Sequence, residues 1–158
     1  LPRQRRGVDL VQDGHVDVDA HAVAVGAGLE QVADGQVGGA DGPDLGEGLG
    51  VDLVVVMGHE SCGAVAATAE ALDGGKIPNG LERILVEKVA PSILEARARG
   101  RNDLPGYERQ HVIEIVIQIK HRLSVLQERI ADGRCAIVGL RYLLSDGSTQ
   151  QVISDGVN

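Results

Sequence analysis

An α/β fold, with a mostly parallel central sheet flanked by helices, is predicted by three features of this sequence. Short apolar runs rich in Val and Ile alternate with stretches of helical period. The run VDLVVVM at 51–57 is apolar almost without interruption, as expected of a strand buried on both faces. A tight turn, SDGS at 145–148, joins the last two strand-like runs, so one hairpin closes the arrangement.

The elements follow in order from residue 51. After the first strand, GHESCGA makes a strand-to-helix turn and AVAATAEAL continues as a helix of small residues. DGGKIPNG (73–80) is a loop. Residues 81–98 are helical, with Pro91 either kinking the helix or starting a second one. RNDLPG (101–106) is a break, and residues 107–131 form one long helix. Its stripe Val112, Val116, Ile119, Leu123 and Leu126 has helical spacing. Ile113, Ile115 and Ile117 add a second apolar face, which predicts burial on two sides. RCAIVGLRYLL (134–144) is a strand, and TQQVI (149–153) is its returning partner.

The first fifty residues have a different character. They hold 11 of the 22 glycines, with 3 basic and 9 acidic residues, and sustain no period. DVDAHAVAV alternates weakly enough to pass for one strand. The segment uses only ten residue types, all encodable by codons that begin with C or G. If those types make up roughly 60% of ordinary usage, such a run has a chance on the order of 10⁻¹¹. A GC-rich gene read out of frame yields this alphabet, and so does a natural Gly/Val/Asp/Ala leader. The expected division is an atypical segment at 1–50 and a globular part at 51–158.

Bulk properties narrow the function classes. The 158 residues suit one domain. A net charge of −8 and a pI near 5.0 argue against nucleic acid and anionic membrane surfaces as partners. There is no membrane-length apolar run and no apolar signal-peptide core. Two cysteines, Cys62 and Cys135, are too few for a disulfide framework and suit a reducing, cytoplasmic setting. With no Phe, no Trp and only Tyr107 and Tyr142, the core must be aliphatic.

The chemistry concentrates in VVVMGHESCGAV. His59 and Cys62 lie three apart between a strand and a helix, at the carboxyl edge of the sheet where α/β proteins build sites. Cys62 falls at a helix N-terminus, where the helix dipole favours negative charge. Imidazole and thiolate are borderline-soft donors that together suit zinc, although a lone H-x-x-C by itself reads more readily as a capping His and a small buried Cys.

The wider string, strand–G-H-x-x-C-G-A–helix, resembles the second half of the zinc motif of β-class carbonic anhydrases. The Pro91-Ser92-Ile93 turn, the long helix and the closing AIVGLRYLLSDGSTQQV, with Gly139 to Tyr142 as a G-x-x-Y segment, extend the likeness over residues 51–158. The resemblance implies a Zn²⁺-dependent lyase that interconverts carbon dioxide and bicarbonate through a metal-bound hydroxide. It also implies a homodimer or a higher homo-oligomer. His59 and Cys62 match two of that family's three protein ligands, and Gly63 matches the glycine that lets the backbone approach the metal. The remaining cysteine, with an Asp and an Arg beside the metal, belongs to a C-x-D-S-R string that this chain lacks, so the catalytic Asp–Arg pair is unassigned and activity is in doubt. Cys135 is expected to be a packing thiol, His111 and His121 solvated or capped, and Glu60 a surface residue. His15 and His21 are poor substitutes for the lost donor. Two other readings share the fold: a metal-deficient binding or assembly module, and a hydrolase of carbon disulfide or carbonyl sulfide.

Overall fold

The structure, a computed structural model, describes residues 22–26 and 51–157, with the side chains of 22–26 and of Leu81 excepted. The Gly-rich segment as a whole, with His15 and His21, lies outside the described residues. From it only β1 (Ala22–Gly26) is described, which places a strand at the end of the weakly alternating DVDAHAVAV stretch.

The order continues as β2 (Leu53–His59), α1 (Gly63–Leu72), α2 (Leu81–Ala98), α3 (Leu104–Arg122), α4 (Ser124–Ala131), β3 (Ala136–Tyr142) and β4 (Thr149–Asp155). The four strands form one sheet in chain order. β1 and β3 both run parallel to β2, while β4 returns antiparallel to β3, so the mostly parallel α/β expectation holds.

Alternation along β2 supplies both faces of the sheet. Val54 and Val56 pack with Val112, Val116, Leu126 and Ile137 under α3 and α4. Leu53 points the other way, with Ala136, Val138 and Leu140. A third cluster, Val65, Val89, Ile93, Ala96 and Tyr107, joins α1 and α2 to the start of α3. Cys62 packs against this third cluster.

Three expectations change. α3 starts at Leu104 rather than 107, because Asp103 caps it by accepting from the Gly106 N–H at 3.0 Å and Pro105 fits the first turn. The long helix is two helices, since Leu123 adopts φ −114° and ψ 88° and the chain restarts at Ser124. Gln127 Nε2 satisfies the Lys120 carbonyl at this break, and Leu126 stays in the core. The second buried face of α3 is also not the isoleucine row. Ile113, Ile115 and Ile117 are half-buried, whereas Glu108, Gln110 and His111 are buried. By contrast α2 runs unbroken through Pro91.

α3 crosses β3 at Gly139. A Cβ there would lie 2.8 Å from Val112, 2.7 Å from Ile153 and 3.1 Å from Val116. Gly139→Ala is therefore expected to destabilise the chain by about 1–3 kcal/mol through overpacking. Urea denaturation followed by circular dichroism measures this, and a variant as stable as the parent would contradict the close approach.

Candidate metal-ligand turn

β2 ends at His59 and α1 begins at Gly63, so three residues must turn the chain from strand to helix. The turn is sharp enough to place Ser61 at φ 57°, the left-handed region that a non-glycine residue enters at a cost of about 1–2 kcal/mol. Such a conformation persists only where its surroundings fix it. The Glu60 N–H donates to the Tyr142 carbonyl at 2.8 Å, extending the β2–β3 register in which His59 pairs with Tyr142. The Glu60 carboxylate accepts from the Ser145 N–H at 3.0 Å, and this bond holds it below the ordinary glutamate range. Glu60 is thus a half-buried tie between the turn and the hairpin rather than a plain surface residue.

The far side of the turn is held from below. Cys62 is the N-cap of α1, and its N–H donates to Glu108 Oε1 at 3.0 Å. Glu108 Oε2 accepts from Arg141 Nε at 2.8 Å and pairs with Nη2 at 2.7 Å. Both side chains are nearly sealed, at 2% and 6% exposure. Gln150 Oε1 accepts from Arg141 Nη1 at 3.3 Å and from Arg109 Nη2 at 2.9 Å. None of these four residues was picked out by the sequence reading. The available signal was a Glu on the stripe of Val112 and Val116 and an Arg inside an otherwise apolar strand.

Both predicted donors lie on the turn at the carboxyl edge of β2. His59 is exposed and Cys62 half-buried. His59 Nδ1 lies 2.9 Å from the Glu60 carbonyl oxygen. A carbonyl can only accept, so Nδ1 is the donor in this contact and Nε2 is the ring nitrogen that remains for a metal. Gly63 leaves open space, because a Cβ there would meet nothing within 4 Å. These are donors of the type zinc takes, yet they number two where zinc needs three from protein. Among the described residues no group of three or more His, Cys, Asp or Glu is placed to hold a metal. The described residues therefore do not by themselves complete a zinc site.

The other candidates lie elsewhere. Cys135 precedes β3 at the opposite edge of the sheet, buried in the core, where burial pushes its thiol up; it packs as expected. His121 is exposed, also as expected. His111 departs from expectation: it is buried between α2 and α3, with Nδ1 3.0 Å from Ser92 Oγ.

A sequence model of the carbonic anhydrase family matches residues 46–149. Carbonic anhydrase of Mycolicibacterium smegmatis is 47% identical over 102 residues, covering 65% of this chain and 50% of that protein. Carbonic anhydrase 2 of Mycobacterium tuberculosis is 48% identical over 99 residues, covering 63% of this chain and 48% of its own length. The chain thus spans about half the length of the curated relatives it matches. Among solved structures, the Coccomyxa β-carbonic anhydrase aligns over 70% of this chain and 51% of its own, with a TM-score of 0.55 and 16% identity. A tetrameric β-carbonic anhydrase of Sordaria macrospora aligns over 68% and 55%, with a TM-score of 0.53 and 18% identity. On its sequence match this chain belongs to the carbonic anhydrase family, and its fold is that of the β class.

Proposed function

We propose that His59 and Cys62 are two of the three protein ligands of a zinc centre for the reversible hydration of carbon dioxide to bicarbonate. The observation that carries this reading is the pair itself: an imidazole with Nε2 free and a thiol on one strand-to-helix turn, in a chain of this family. His59 would donate through Nε2 and Cys62 through its sulfur, with the open space at Gly63 admitting the metal. Carbon dioxide and bicarbonate are the proposed small-molecule substrates, and the reducing cytoplasm is the compartment that suits the two free cysteines. A homodimer or larger homo-oligomer is proposed by analogy with the tetrameric Sordaria enzyme. We take residues 1–50 not to be the segment that normally supplies the third ligand. The donor set, incomplete among the described residues, also supports a second reading, a metal-deficient member of the fold that serves as a binding or assembly module.

Two measurements bear on the site. Cys62 is expected to alkylate faster than Cys135 in the native metal-free chain, since Cys135 is 5% exposed and its thiol is pushed up by burial. Mass spectrometry of iodoacetamide-treated protein ranks the two, and a faster Cys135 would displace the site. Gly63→Ala is expected to leave thermal stability unchanged or slightly raised, because the added methyl meets no neighbour and a helix position gains from losing glycine.

The decisive comparison sets the 158-residue chain beside residues 51–158 joined to an N-terminus that carries C-x-D-S-R. The first is expected to bind zinc weakly and to hydrate carbon dioxide no faster than buffer. The second is expected to bind zinc tightly and turn over, with His59→Ala or Cys62→Ala abolishing both properties. Equilibrium dialysis and stopped-flow pH indicators read the outcome. Strong activity from the unaltered chain would turn the search for the third donor to His15, His21 and Cys135. A zinc-free, inactive restored protein would favour the non-catalytic module.

A further inference from the structure

We propose that Glu108 is the positioning residue of the His59–Cys62 turn, fixing the Cys62 backbone while Arg141 fixes Glu108 in place. The proposal rests on the metal reading above and adds the part of the chain that aims the cysteine. The Cys62 N–H belongs neither to the β2 ladder nor to the α1 ladder, because Cys62 is the cap residue between them. Its acceptor is Glu108 Oε1, brought from 46 positions away. The second carboxylate oxygen is held by two guanidinium nitrogens of a nearly sealed arginine, so Glu108 cannot swing away without stranding that charge.

The turn also needs such a hold. Ser61, in the left-handed region, lies between two anchored amides: that of Glu60 on the Tyr142 carbonyl and that of Cys62 on Glu108. Without the second anchor, Ser61 is free to relax towards an ordinary conformation and to change where the Cys62 side chain stands on the turn. Hydrogen bonds one layer behind a ligand commonly set its geometry and metal affinity in this way.

The experiment uses the full chain in three forms: unaltered, Glu108→Gln with Arg141→Met, and Glu108→Leu with Arg141→Met. Neither double variant strands a buried charge, and only the Gln form keeps an acceptor under Cys62. Residue-resolved hydrogen exchange is expected to find the Cys62 amide protected in the unaltered and Gln forms. In the Leu form it should exchange about tenfold faster or more, with the Val54 and Ile137 amides unchanged in all three. Cadmium titration, followed by thiolate-to-metal absorption, should give the same order, with affinity falling about 10- to 100-fold in the Leu form. Equal Cys62 protection in the Leu and unaltered forms overturns the proposal, as does rapid exchange in the Gln form. The exchange order alone decides for or against Glu108, whereas the metal reading stands or falls on zinc binding by the restored protein described above.

Discussion

The ion pair between Glu108 and Arg141 joins elements that share no stretch of sequence. α3 supplies the carboxylate, β3 the guanidinium, β4 the Gln150 that takes a further guanidinium nitrogen, and α1 the capping amide. Removing two charges from water costs several kcal/mol for each ion, and attraction between them offsets this only when the remaining donors and acceptors are filled. Here both carboxylate oxygens and three guanidinium nitrogens have partners. The Asp103 cap contributes as well, because it fixes the first turn of α3, directly ahead of Glu108. Four elements meet at one buried contact, and the turn bearing His59 and Cys62 lies on top of it.

Beneath that contact the sheet is an aliphatic structure, as a chain without Phe or Trp requires. Its density comes from close approach rather than from large rings. Gly139 lets Val112 and Val116 of α3 reach the strand backbone, and the register shift between Gly139 and Leu140 falls at the same point. A bulge next to a glycine lets β4 follow β3 while a helix presses on the opposite side.

Much of the fold was legible because its signals are local. Continuous Val in β2, helical spacing in α2 and α3, and SDGS before β4 each announce themselves within a few residues. The break at Leu123 was hidden, since R-L-S holds neither Gly nor Pro and the apolar stripe continues across it. The start of α3 was present as Asp-Leu-Pro-Gly, a cap followed by proline, but that string also spells a loop. The same contrast holds for the site. His59 and Cys62 are three residues apart and visible as a pair, whereas Glu108 and Arg141 are 33 apart and meet only through the sheet. Each looked like an isolated charge on an apolar element. Their opposite signs were the clue, and pairing them needs topology that spacing alone does not supply. His111 misled for the opposite reason: a histidine on a helix is ordinarily wet, and here Ser92 of the neighbouring helix gives its ring a buried partner.

The register of β2 has one more consequence. His59 stands level with Tyr142 because Leu53, Val54, Val55 and Val56 are each matched to a residue of β3. A slip of one residue would turn Val54 and Val56 away from α3. Hydrophobic alternation therefore sets where the imidazole stands. Small zinc modules work differently, since their chains collapse around the ion and chelators unfold them. Residues 51–157 instead build three apolar clusters from strand and helix side chains. An ion bound at the proposed His59–Cys62 site would therefore meet a turn whose position the apolar register already sets.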